Sequence, residues 1–143
     1  MDSGNSEAVQ DLPVKARGNR KRPNPVTQAH RDFFWAEVLW WQDKLGLSDW
    51  RFALTPEPSK YMAEVTKFDL KARTAKIALG KDWKGEQITE QTLSATALHE
   101  LLHILFYEAL HLAENDGGEE AVGSAEHRAI NVLEKLLAPT RWI

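Results

Sequence analysis

The chain of 143 residues contains no cysteine. Disulfide frameworks, cysteine-ligated zinc ribbons, iron–sulfur clusters and thiol nucleophiles are excluded together. Also missing is any apolar run near the roughly 18 residues a membrane helix requires, and the N-terminus is polar, unlike a signal peptide. A cytoplasmic protein without membrane contact is expected. Neither sign of charge dominates: 18 Lys and Arg stand against 21 Asp and Glu, a net charge of -3. Histidine is scarce, with five in all, at positions 30, 99, 103, 111 and 127. Any bound metal must therefore be held by these imidazoles and by carboxylates. What is present is 43% hydrophobic residues, enough at this length to build one domain with a real core.

The small net charge is an average over two unlike parts. Residues 1–25 carry five basic and three acidic groups, and the remainder 13 and 18, so a +2 tail precedes a -5 body. The tail contains the run Lys15-Ala-Arg17-Gly-Asn-Arg20-Lys21-Arg22, three of the six prolines and few large apolar residues. Such a stretch cannot bury enough surface to offset its ordering entropy, so residues 1–25 read as a disordered basic tail and 26–143 as the domain. The basic run is either a solvated segment or an arm for nucleic acid.

The body reads as α+β. From Val26 to Leu45, Phe34, Val38, Trp41 and Leu45 recur at helical spacing, with Thr27 placed to cap the start and Gly46 to end the helix. Four of the six tryptophans (35, 40, 41 and 50) lie here or just beyond, and their spacing makes them core, with Trp35 the most exposed. Three short strands follow: 49–54, stopped by Pro56 and Pro58, then 61–67 and 74–79, which can pair as a hairpin around Asp69–Arg73. A long helix opens at Thr89 or Thr92 and runs to about Ala113, ending in the Asn-Asp-Gly-Gly turn at 115–118. A last helix spans about Glu119 to Ala138, stopped by Pro139.

The chemistry-bearing motif is His99-Glu100-Leu-Leu-His103. In a helix the two imidazoles sit one turn apart on one face, about 6 Å along the axis, within reach of one metal ion. Glu100 lies about 100° round the helix, badly placed as a ligand but able to touch a water on the metal. Zinc hydrolases use this arrangement: the ion lowers the pKa of a water, and the carboxylate takes its proton as it attacks a polarised carbonyl. With five histidines and 13 glutamates, the pattern is expected by chance only about 0.015 times in such a chain. The apolar neighbours Leu98, Leu101, Leu102 and Leu105 bury the rest of the helix, so the polar trio needs something to satisfy it.

A catalytic zinc needs a third protein ligand and one open position. His111 is about 12 Å further along the same helix, too far to share the ion. A His six residues after His103 is ruled out by Ala109, and a Gly three residues after it by Phe106. Glu126 and His127 remain, on the last helix. With Val122 at 0° and 100° per residue, Ala129, Leu133, Leu136 and Leu137 fall within about 60° of it and Glu126 at about 40°, inside the apolar face. His127 falls at about 140°, outside that face. A lone carboxylate on a core-facing stripe needs a partner, so Glu126 is the expected third ligand and His127 the reserve.

With this order of elements and these motifs, residues 28–138 resemble a zincin-type metallopeptidase. They are most similar to the small single-domain kind often encoded by phages and their bacterial hosts. The resemblance implies a zincin-like fold with an N-terminal helix, a small antiparallel or mixed sheet of about three strands, an active-site helix and a C-terminal helix. It implies Zn2+ on His99, His103 and Glu126, Glu100 as general base, and a polypeptide substrate. It further implies that the 74–79 strand lies at the sheet edge beside the cleft and binds peptide by strand addition. The chain is also distantly similar to SprT-like proteases, which use a third His and often a cysteine ribbon; only His127 could supply that His, and nothing supplies the ribbon. Tyr107, or His111 after a bend, could stabilise the oxyanion, although Tyr107 also reads as a plain aromatic contact. The leading expectation is thus a zinc-dependent peptidase. The alternative is a zincin-fold binding module, catalytically weak or inactive, that recognises a protein or nucleic acid.

Overall fold

The computed structural model describes residues 22–117 and 119–143. The side chains of 108–122, 124 and 125 lie outside that description, and so does segment 1–21, which holds most of the basic tail. Helix α1 (Gln28–Lys44) starts where expected: Thr27 Oγ1 accepts from the His30 N–H at 3.2 Å, and His30 Nδ1 accepts from the Thr27 N–H at 3.0 Å. The reciprocal pair is a capping box with an imidazole in the place of Glu. Gly46, at φ 72°, supplies the left-handed residue that lets the chain leave the helix. Phe34, Val38 and Trp41 are buried, and Trp35 and Trp40 pack half-buried against them, so these rings belong to the core.

The strands are β1 (Arg51–Leu54), β2 (Ala63–Asp69) and β3 (Thr74–Leu79), in the order β1-β3-β2. The β2–β3 pair is the expected antiparallel hairpin, with a register shift between Val65 and Lys67 and with Arg73 at φ 57° in its turn. The strand at 74–79 is not an edge, however. β1 adds to its other side in parallel, Arg51 opposite Thr74 and Leu54 opposite Ile77, so β3 is central and buried at Ala75, Ile77, Ala78 and Leu79. The edge expectation fails because a four-residue strand pairing in parallel leaves no local trace of its partner. The edge strands are β1 and β2, and β2 is the one that packs beside α2. Gly80, just after β3, is packed so closely that a Cβ there would run into the carbonyl oxygen of Tyr61.

Helix α2 (Glu90–Gly117) is capped by Thr89, whose Oγ1 accepts from the Thr92 N–H at 3.0 Å. It buries Leu93, Ala97, Leu98, Leu101, Leu102 and Ile104 against α1 and the inner face of the sheet. It runs past the expected end near Ala113, through Asn115 and Asp116, to Gly117. The polar residues of that turn are tolerated in a final helical turn, and the helix ends at Gly117. Helix α3 (Glu119–Leu137) returns along α2 and passes into a 3-10 segment, Ala138–Trp142, around Pro139. The described residues are α+β, with three helices and one mixed three-stranded sheet. No helix among the described residues is long and apolar enough to cross a membrane.

Two features outside the expected elements tie the fold together. Asn24 donates its N–H to Asp82 at 2.7 Å and accepts from the Trp83 N–H at 2.9 Å, so the chain already belongs to the folded body two residues before Val26. Glu37, on the buried stripe of α1, is only 2% exposed. Its carboxylate accepts from Ser94 Oγ at 2.7 Å and from Arg141 Nε and Nη2 at 3.0 and 3.2 Å. Ser94 in turn accepts from Trp41 Nε1 at 3.0 Å. One buried carboxylate thereby joins α1, α2 and the C-terminal segment.

Candidate metal centre

His99, Glu100 and His103 occupy consecutive turns of α2 where it passes β2 and α3. Glu100 points inward and is 7% exposed, whereas His99 and His103 are half-buried. Across from them α3 presents Glu126, His127 and Glu134. The pairing runs in opposite directions along the two helices: Glu134 meets His99, and Glu126 meets His103. His99 Nδ1 lies 2.6 Å from Glu134 Oε1, and His103 Nδ1 lies 3.2 Å from Glu126 Oε2.

Between these two contacts stands the imidazole of His127, its centroid 5.6 Å from that of His99 and 5.8 Å from that of His103. The His99 and His103 rings are 5.1 Å apart. Among the described residues, His99, His103 and His127 form a group whose ligand atoms all lie within 4.8 Å of one another. The structure therefore brings together the two motif histidines and the reserve residue. Glu126, the expected third ligand, is turned to Nδ1 of His103.

The cause is the rotation of α3. Of the apolar face expected about Val122, Leu133 and Leu137 are half-buried, but Ala129 is exposed and Leu136 is 66% exposed. The fully buried residue is Ile130, which with Leu133 and Leu137 centres the buried face about 50° round the helix from the expected direction and turns His127 and Glu134 toward α2. Glu134 has no part in the sequence-based expectation. Its signal was available, since it lies seven residues after His127, two turns along the same face.

The electrostatics follow from burial and these contacts. Burial pushes the Glu100 carboxyl up to about 7, with the neighbouring His99 and the Val65 N–H pulling it the other way. The hydrogen bond that His99 donates to Glu134 raises the imidazole above its ordinary value, against the effect of burial. His103 is lowered, chiefly by burial and only partly offset by Glu126.

Two hollows flank the histidines along β2. One, of about 330 Å³, is lined by Tyr61, Met62, Thr96, His99, Asn131 and Glu134 among others. The second, of about 350 Å³, is lined by Glu64, Val65, Phe68, His103, Tyr107 and Glu126, and Glu100 faces both. No described Lys or Arg lines either hollow. Tyr107 stacks on Phe68, with centroids 4.3 Å apart and planes 11° from parallel, at the rim of the second hollow. A separate hollow of about 500 Å³, by Arg51, Phe52, Lys67 and Lys76, contains no imidazole. The side chain of His111 is outside the described residues.

Three imidazoles whose ligand atoms lie this close, with carboxylates around them, are a donor set that could hold a metal ion. Comparison with protein-family models, with curated proteins and with solved structures finds no match to this chain.

Proposed function

We propose that this protein is a zinc-dependent peptidase of zincin-like fold, with zinc held by His99, His103 and His127 and with Glu100 as general base. The observation that carries the reading is the meeting of His127 with the His99–His103 pair beside the buried carboxyl of Glu100. When bound, zinc supplies Lewis acidity, acidifying a water and polarising a carbonyl. Glu100 accepts the proton of the attacking water and returns it to the leaving amine, the work of a carboxylate held beside the ion. Substrate is an extended polypeptide laid against the free edge of β2, its side chains entering the hollows on either side of Glu100. Tyr107 lies at the rim of that path, stacked on Phe68, where it serves as a wall for a substrate side chain.

The test is the full chain and its Glu100→Gln variant, each assayed for zinc content and for cleavage of an unfolded polypeptide. The expected outcome is stoichiometric zinc in both and hydrolysis by the parent alone. Zinc-free protein, or cleavage that survives in the variant, would overturn the reading. Partner binding that persists in the variant while the parent cleaves nothing would favour the inactive binding module.

A further inference from the structure

Helix α3 contributes more to the centre than one imidazole. Both motif histidines have Nδ1 against a carboxylate of α3, His99 on Glu134 at 2.6 Å and His103 on Glu126 at 3.2 Å. Each carboxylate is mostly buried, with side-chain exposures of 29% for Glu134 and 22% for Glu126. A carboxylate can only accept at Nδ1, so each contact selects the tautomer that carries its proton there and leaves Nε2 as a lone-pair donor. A free imidazole in water divides between tautomers and rotates, and a pair of half-buried carboxylates removes both freedoms.

Resting on the zinc reading, we infer that Glu134 and Glu126 are positioning residues that hold Nδ1–H of His99 and His103 and aim both Nε2 atoms at the metal. The His127 lone pair then completes the set from between them. The consequence is that α3 supplies one ligand and both orienting carboxylates, so the register of α3 on α2 sets the geometry of all three ligands at once. It also gives Glu126 a role without coordination: the carboxylate adjoining the third ligand serves the second. The Glu134 contact is the stronger anchor, because hydrogen bonds from N–H to a carboxylate run at about 2.7–2.9 Å and the 3.2 Å contact at Glu126 is longer than that.

The test uses the full chain, loaded with Zn2+, and four variants: Glu134→Ala, Glu134→Gln, Glu126→Ala and His127→Ala. Affinity is read by competition with a chelator, and ring protonation by long-range proton–nitrogen spectra of the histidines. In the parent, His99 and His103 should show Nδ1 protonated and Nε2 metal-bound. The two Glu→Ala changes should weaken zinc by about 10- to 100-fold, Glu134→Gln should recover part of the loss by keeping an acceptor, and His127→Ala should lose more than either. Melting of the zinc-free proteins separates these effects from misfolding, which would lower that melting temperature too. Coordination through Nδ1 in the parent, or parent-like affinity in both Glu→Ala variants, would overturn the inference while leaving the zinc reading intact. Loss of zinc from Glu126→Ala together with retention in His127→Ala would overturn it as well, by making Glu126 a ligand. A parent that takes up no zinc would overturn both.

Discussion

Glu100 carries two opposed demands in one side chain. As the proposed general base it must sit in a dry, partly apolar wall, and the same burial makes its ionised form costly to the fold. Its folded-state pKa is about 7 against an ordinary 4.5. The folded, zinc-free protein thus binds this proton more tightly than the unfolded chain does. The carboxyl favours folding fully below about pH 4.5, and that contribution is lost as pH rises through 7. Glu100→Gln imitates the protonated form at every pH. Denaturant titration of the zinc-free proteins should therefore find the variant more stable than the parent at pH 8, by up to about 3 kcal/mol, with the gap closing toward pH 4.5. Equal stabilities at pH 8 would mean the carboxyl is better solvated than its 7% exposure implies.

Among the elements, α3 decides most. Its sequence supports two placements of the apolar face, one through Ala129 and Leu136 and one through Ile130, and only the second brings His127 to α2. The two differ in which substitution hurts. Ile130→Ala empties a fully buried site and should cost about 2–5 kcal/mol, whereas Leu136→Ala, at 66% exposure, should cost under about 0.5 kcal/mol. Ile130→Ala should also weaken zinc, because the helix that loses its anchor carries His127, Glu126 and Glu134. The motif on α2 was readable from five residues because its geometry is local: four residues along a helix always bring two side chains to one face. The approach of His127 to that motif was not, because it depends on how one helix is rolled against another, and a half-polar helix leaves that angle to its neighbours. The same distinction separates the β2–β3 hairpin, evident from alternation and a turn, from the parallel pairing of β1, which is non-local.

For the molecule as a whole, the buried Glu37 links α1, α2 and the C-terminal segment through Ser94 and Arg141. Removing one partner of such a pair leaves a charge buried and uncompensated. Arg141→Ala should lower stability by about 3–5 kcal/mol, and combining it with Glu37→Leu should restore part of the loss, read from urea midpoints of the single and double variants. Because Arg141 follows α3 directly, the single variant should also bind zinc less tightly. Zinc in turn should stabilise the folded chain, by about 2.7 kcal/mol at a free concentration 100 times its Kd, and a chelator should remove that gain. Unchanged melting with and without zinc would show that the metal does not couple to folding.

From the sequence alone came the helix that carries His99, Glu100 and His103, its capped beginning, the core face of α1, the hairpin and the exclusion of cysteine-based sites. All of these rest on periodicity or composition, which act within a few residues or over the chain as a whole. The tertiary structure decided that β3 is central and that β1 and β2 are the edges, with β2 beside α2. It also decided that His127 joins the motif histidines while Glu126 and Glu134 stand at their Nδ1 atoms, and that Glu37 finds Arg141 across 104 residues. These depend on the roll of a helix and the order of strands, which are settled by packing the whole core at once.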